Sequence, residues 1–333
     1  MKRLLTGDRP TGKLHLGHWV GSLQNRLRLQ SEYECFFAVA DYHTLTTCLE
    51  DLGQIRQNIH DVVLDYLSVG IDPGKSTIYL QSLVPEVSEI HMLFSMLVSV
   101  PRLERIPTLK EVIRNLKLEN ASYGLLGYPV LQAADILMVK AEVVPVGKDQ
   151  LPHIEITREL ARRFNQLFGP VLPEPEAILS EEPSLIGTDG RTKMSKSIGN
   201  VIYLSDPPEV VEKKVMAMYT DPLRIRSDIP GRVEGNPVFI YHDLFNKDRD
   251  EVEALKHRYL KGMVGDVEVK RKLAAALDEF LQPVRERRQH FSDQAGLVER
   301  IIAKGSEKAR KIACHTLTEI RHAMSLDYYG WKC

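Results

Sequence analysis

Cys35-Phe36-Phe37-Ala38-Val39-Ala40 is a run of six residues without a charged side chain. So short a run, rich in aromatic and β-branched residues, reads as a strand buried on both faces, the setting of a parallel sheet with helices on either side. Outward from it the pattern alternates. Upstream, Arg3–Thr6 is a short strand running into Gly7-Asp8-Arg9-Pro10-Thr11-Gly12, a loop by its Gly and Pro content. Downstream, Ile55, Ile59, Val62, Val63, Tyr66 and Leu67 recur at helical spacing and form one apolar stripe. Gly70 and Pro73 stop that helix, and Thr77–Leu80 is the next strand. Strand, helix, strand, helix, strand is the pattern of a parallel sheet with right-handed crossovers, which binds ligands at the carboxyl ends of its strands.

The middle, about 85–135, reads as helical. Val143–Val146 is another strand, and Gly147-Lys148-Asp149-Gln150 is a loop opening a helix that runs to about Phe168. Residues 180–200 are rich in Gly, Ser, Thr and charge and read as a mobile loop. From Pro207 onward strand signals nearly vanish and long amphipathic helices follow. A length of 333 residues accommodates two domains. We place them at 1–205, with a helical insertion at about 85–135, and at 206–333.

Apolar residues make up 43% and charged residues 27%, which excludes disordered, collagenous and rod-like chains. No apolar run is long enough to span a membrane, and the N-terminus lacks a stretch of signal-peptide length, so a cytoplasmic location is expected. The four cysteines, Cys35, Cys48, Cys314 and Cys333, include no Cys-x-x-Cys pair; plain thiols are expected, without a zinc site or a disulfide framework. The formal net charge of −1 argues against a generally basic nucleic-acid binder, and no DNA partner is expected. Residues 251–333 nevertheless carry 16 Lys and Arg against 12 Asp and Glu. A polyanion could touch that segment.

Two motifs carry chemistry. Gly7-x4-Gly12-Lys13 begins like a Walker A loop, but Leu14 stands where the magnesium-binding Ser or Thr is required. The overlapping string Pro10-Thr11-Gly12-Lys13-Leu14-His15-Leu16-Gly17-His18 follows a strand and opens a helix. His15 and His18 share one face of the first turn, and Gly17 removes a side chain between them. Two imidazoles there can donate to a phosphate on which negative charge develops. By itself the pair also fits two surface histidines beside a turn. Lys193-Met194-Ser195-Lys196-Ser197 lies between Gly187 and Gly199, where two lysines can fold over a triphosphate and stabilise its departing half by charge.

Together these strings resemble the paired signatures of class I aminoacyl-tRNA synthetases. About residues 3–326 resemble the bacterial tryptophanyl-tRNA synthetase family within that class. The resemblance rests on Gly7–Gly12, Asp41–Thr46, Tyr128–Leu137, Pro145–Gln150, His153–Glu159 and Lys193–Ser197. It implies an α/β fold, with a Rossmann-like parallel sheet and helical insertion followed by an all-helical C-terminal domain. It also implies ATP with Mg2+, L-tryptophan and its tRNA as ligands, and a homodimer joined through the helical middle.

Tyr128, Gln132 and Asp135 lie on one helix face, in a stretch otherwise apolar, and a buried carboxylate there needs a donor partner. The donor-only indole N–H would supply it, matching the family's use of this Asp; a carboxylate capping a neighbouring helix is the alternative. Leu5, Val144 and Val146 are expected as apolar walls and His43 as a further lining residue. The same face also resembles the pocket of the tyrosyl-specific relatives. Leu5, where that family usually has a second polar group, favours indole. Gly147, Lys148, Asp149 and Gln150 carry over as an ATP loop, with Gln150 toward the amino acid. Arg9, Pro10, Thr11, Gly17 and His18 carry over as nucleotide contacts together with Lys193, Met194, Ser195, Lys196 and Ser197. Lys110 is a candidate third phosphate lysine. Arg224, Arg226, Lys270, Arg271 and Lys272 are candidates for the anticodon. Pro230–Leu273 holds no cysteine, so the iron–sulfur cluster of some relatives is not expected. The tail Asp327–Cys333, with Trp331 and Cys333, passes beyond the family pattern and is expected to be disordered. A tyrosyl enzyme, a non-charging tRNA-binding paralogue and, more remotely, a small-molecule nucleotidyltransferase remain as rivals. Intact histidines and lysines argue against the paralogue. A nucleotidyltransferase would need neither the Asp135 pocket nor a helical C-terminal domain.

Overall fold

The computed structural model describes residues 1–49, 52–115, 120–179, 184–221 and 224–328. Trp331 and Cys333 lie outside the described residues. Five strands, β1 (Arg3–Asp8), β2 (Glu34–Val39), β3 (Thr77–Leu80), β4 (Val143–Val146) and β5 (Glu176–Leu179), form one parallel sheet in the order β3-β2-β1-β4-β5. The apolar β2 is buried on both faces. Phe36 joins one core with Leu5, Ala38, Val144 and the Tyr123–Met138 helix, and Phe37 joins the other with Leu4, Val39 and the Ile55–Val69 helix. Residues one apart point to opposite faces of a strand, so a both-faces strand needs an unbroken apolar run.

The chain steps outward from β1 to β3 and then returns to add β4 on the other side of β1. That reversal opens a crevice between the carboxyl ends of β1 and β4, where open α/β sheets hold their ligands. β1 runs two residues further than its sequence pattern, because Gly7 and Asp8 still pair with Ala38 and Val39. β5 was not anticipated. Glu176-Ala177-Ile178-Leu179 is an edge strand with both termini exposed, so it lacks the apolar run that announced β2. Gly70, at φ 108°, ends the Ile55–Val69 helix as expected.

The middle is helical at Glu86–Ser95, Val100–Glu104, Pro107–Asn115 and Tyr123–Met138. After residue 205 the described chain forms the helices Pro208–Met216, Pro237–Phe245, Arg249–Leu260, Asp266–Ser292 and Leu297–Ala323. The last of these returns to the sheet. Gly305 lies against the Ile78 carbonyl, closer than any side chain would permit, and the Leu80 N–H donates to Ser306 Oγ at 3.1 Å. Arg310 and Arg321 of the same helix pair with Glu86 and Glu89 of the insertion. Cys35 and Cys48 are free thiols, whereas half-buried Cys314 is disulfide-bonded, which corrects the expectation of a thiol there. No helix of the described residues is long and apolar enough to cross a membrane.

Candidate active site

A cavity of about 910 Å³ opens at the carboxyl ends of β1 and β4. Its lining brings together Leu5, Arg9, Thr11, His15, Gly17 and His18 from the first 18 residues with His43, Tyr128, Gln132 and Asp135 from the middle. Val144, Val146, Gly147, Asp149 and Gln150 follow from the β4 end, and Lys193, Met194, Ser195, Lys196 and Ser197 from the far loop. Three expected residues stand apart from the lining. Pro10 is buried behind its loop, and Lys148 and Lys110 are exposed elsewhere.

One end gathers donors and positive charge. His15 caps a one-turn helix, Leu16–His18: its Nδ1 accepts the Gly17 N–H at 3.1 Å, while His18 Nδ1 accepts the His15 N–H at 3.2 Å. An imidazole that accepts at Nδ1 carries its proton on Nε2. The reciprocal cap thus fixes both tautomers and leaves an Nε2–H donor on each of two rings whose centroids lie 3.9 Å apart. Burial is the main cause that pulls His15 down to about 2 and His18 to about 4, so both are neutral donors near pH 7. A Cβ on Gly17 would meet the His15 ring at 2.9 Å and Met194 at 3.3 Å, so only glycine fits between the two signatures. Lys196 Nζ donates to the Gly12 carbonyl at 2.7 Å and to Thr11 Oγ1 at 3.3 Å, laying its loop across the first signature. Burial lowers Lys196 to about 8 against the opposing pull of Asp8, Asp65 and Asp61. Asn200 holds the loop from beneath: its Oδ1 accepts the Ser195 N–H at 2.7 Å and its Nδ2 donates to Asp189, Thr192 and the Lys193 carbonyl.

The other end is apolar around a carboxylate. Leu5, Ile136, Val144 and Val146 line it, and Asp135 is 4% exposed at its floor. Asp135 is not a lone carboxylate. Gln81 Nε2 donates to both its oxygens at 2.9 and 2.8 Å, and His43 Nε2 donates to Oδ2 at 2.9 Å. A carboxylate offers about four acceptor positions, so an incoming ring N–H can still be received. Tyr128 is held from behind by His153, whose Nε2 lies 3.0 Å from the phenol oxygen and 2.6 Å from Thr108 Oγ1. Burial keeps His153 neutral, at about 4.

Several residues escaped the sequence reading. Gln81 directly follows β3, and a polar residue at the carboxyl end of a parallel strand was the signal available for it. Asp8 lines the cavity; burial would raise its carboxyl, but Arg26 and His18 bring it to about 2, and Arg26 and the Tyr66 hydroxyl bond its Oδ2 at 2.8 and 2.7 Å. Nothing in the local sequence pairs residues 8, 26 and 66. Three candidate anticodon residues are internal fasteners. Buried Arg224 bonds Asp266 and the carbonyls of Ser227, Ile229 and Val264, and lies over the Tyr259 ring. Lys270 donates to the Met216 and Met218 carbonyls and to Thr220, and Lys272 pairs with Glu251. Arg226 and Arg271 are exposed.

Comparison with known proteins agrees with this geometry. Residues 1–282 match the family described as tRNA synthetases class I (W and Y). The chain is 56% identical over 329 residues to a tryptophan–tRNA ligase of Treponema pallidum (strain Nichols), covering 98% of each chain. It is 54% identical over 332 residues to a tryptophan–tRNA ligase of Chlamydia caviae, covering 98% of this chain and 96% of the relative. Among solved structures, a tryptophanyl-tRNA synthetase of Campylobacter jejuni complexed with ADP and tryptophan superposes with a TM-score of 0.87 at 34% identity, covering 97% of this chain and all of that one.

Proposed function

Because the chain belongs to the class I tRNA synthetases (W and Y) and has the activity of a tryptophan–tRNA ligase, we propose how its residues divide the work. The tryptophan carboxylate attacks the α-phosphate of ATP, forming the mixed anhydride and releasing pyrophosphate. The ribose hydroxyl at the tRNA terminus then takes the tryptophanyl group, and AMP leaves. Neither step needs a side-chain nucleophile. Asp135 receives the indole N–H while Gln81 and His43 hold its oxygens in place. Leu5, Val144 and Val146 flank the ring, and Tyr128, Gln132 and Gln150 face its polar end. His15 and His18 donate Nε2–H bonds to the α-phosphate as charge builds there. Lys193 and Lys196 neutralise the pyrophosphate, and Arg9, Thr11, Gly17, Gly147, Asp149 and the backbone of Met194–Ser197 hold the nucleotide. Cationic and neutral groups at that end, with the Asp8 carboxylate already paired to Arg26, fit a triphosphate, and Mg2+ arriving with ATP would spread charge over its phosphate oxygens.

Residues 1–205 carry activation, and the helices after 206 meet the anticodon, with Arg226 and Arg271 as the exposed cations of the original set. The enzyme works in the cytoplasm as a homodimer. Met92, Met96, Val100 and Tyr123, all exposed on the insertion, are the apolar side chains a second copy would cover.

The convergence of Asp135 with the His15–His18 pair and Lys196 on one cavity carries this reading. ATP–pyrophosphate exchange tests it: exchange dependent on tryptophan is expected, and exchange only with tyrosine overturns the pocket assignment. Charging of tryptophan tRNA tests the second step.

A further inference from the structure

The backbone that presents His15 is gripped on two sides. On one side, Leu16 N–H donates to the Ile202 carbonyl and Leu204 N–H donates to the Leu14 carbonyl, each at 3.0 Å, so residues 14–16 and 202–204 form a short two-stranded ladder. On the other side, the Leu14 N–H donates to Asp65 Oδ2 at 2.7 Å. Leu14 and Asp65 are each 1% exposed, so this bond lies away from water. Asp65 belongs to the Ile55–Val69 helix, and its other oxygen accepts Arg288 Nε at 2.9 Å. Arg288 Nη2 reaches Asp61 Oδ1 at 2.6 Å. The same face of the Asp266–Ser292 helix reaches the first grip too. Arg285, three residues earlier, donates to the Asp206 carbonyl at 3.3 Å, and Asp206 Oδ2 accepts the Tyr203 N–H at 2.8 Å.

We infer that Asp65 is a positioning residue for the His15–His18 pair and that Arg288, from the C-terminal helices, holds Asp65 in the state and orientation that allow it. The inference rests on the proposed role of the two imidazoles. Asp61 and Asp65 lie one turn apart on the same helix face, and Arg288 is the cation that bridges them. Without it two buried carboxylates face each other, and one takes up a proton or turns away. The acceptor for the Leu14 N–H is then lost or reoriented. Donors to a developing charge act only when held in place beforehand, so a shift of the His15 backbone by a fraction of an ångström weakens activation. The tryptophan slot has separate supports, Gln81 and His43, and is not touched.

The test combines ATP–pyrophosphate exchange with amide hydrogen exchange on the full-length enzyme. Arg288→Ala and Asp65→Ala are each expected to lower kcat roughly 10- to 100-fold with KM for tryptophan unchanged, the scale of one weakened transition-state donor. Amide exchange of the peptide containing Leu14–Leu16 accelerates in both. Arg288→Lys, which keeps the charge, recovers part of kcat. The double variant loses no more than the worse single one, because Arg288 acts on the His15 backbone only through Asp65 and its bond from the Leu14 N–H. A folded Arg288→Ala enzyme with kcat within twofold of the parent and unchanged protection at Leu14 overturns the inference. His18→Ala separates the two levels: if it leaves exchange intact, the imidazole role fails; if it abolishes exchange while Arg288→Ala does not, only the positioning role fails.

Discussion

Asp135 sits in the last turn of a 16-residue helix, 4% exposed, with three hydrogen bonds from Gln81 and His43 already aimed at it. Lys193, at the opposite end of the same cavity, is exposed on a loop held from beneath by Asn200 and by backbone bonds to Leu185 and Gly187. In the proposed division of work the first end selects the amino acid. Its carboxylate is buried, oriented and surrounded by apolar wall, so a ligand that cannot donate leaves a polar group unpaired. The second end is built for charge. Its imidazoles are fixed by their own cap, but its lysines ride on a segment that lies across the first signature, the nucleotide site we propose. Selection calls for groups that do not move, whereas a triphosphate must be admitted and pyrophosphate released, so its counter-charges sit on a loop.

That contrast can be broken by measurement. Asp135→Ala should have the largest effect, a fall of roughly 10³- to 10⁴-fold in kcat/KM for tryptophan with ATP binding retained. Steady-state exchange checks it, and an unchanged preference for tryptophan would sink the selective role of that end. Lys196→Ala should lower kcat of activation about 10²- to 10³-fold while tryptophan affinity, measured by fluorescence or calorimetry, stays the same. Gln81→Ala should sit between the ends, costing about tenfold in kcat/KM for tryptophan. An equal loss in kcat for ATP turnover alone would show that Gln81 does not serve Asp135.

A pH profile sharpens the difference. His15 and His18, at about 2 and about 4, stay neutral from pH 6 to 8 and add no slope there. Lys196, lowered to about 8, loses its charge as pH rises through that value, so kcat/KM for ATP falls above it, by up to about tenfold per unit. Lys196→Arg should move the fall upward, because a guanidinium does not titrate in that range. The smallest effect belongs to Lys148→Ala and Lys110→Ala. Both side chains are exposed and outside the cavity lining, and exchange rates should change by less than about twofold. A larger loss in either would extend the charged end beyond its observed border.

The same contrast explains what could be read from the chain. The donor-and-charge end is written in two short strings. His15–His18 and Lys193–Lys196 are each compact strings, and together they carried the family resemblance, although Lys196 reaches Thr11 and Gly12 only through the fold. At the selective end, the Tyr128–Gln132–Asp135 face was legible because a carboxylate in an apolar helix is conspicuous. Its partner Gln81, 54 residues earlier, was not. Arg224 and Lys270 show the converse. As basic residues of the region after residue 205 they read as nucleic-acid contacts, yet the fold turns both inward to tie carbonyls that would otherwise be unpaired.

The sequence by itself determined the parallel sheet, through apolar runs whose period reports burial, and the two signature strings, whose chemistry is local. Tertiary structure alone decided which polar and charged groups face one another: Arg26 with Asp8, Arg288 with Asp65, Gln81 with Asp135. The reason is physical. Periodicity along a strand or helix follows from geometry repeated every few residues, whereas a buried polar group takes its role from whatever stands within about 3 Å of it, and that neighbour comes from anywhere in the chain.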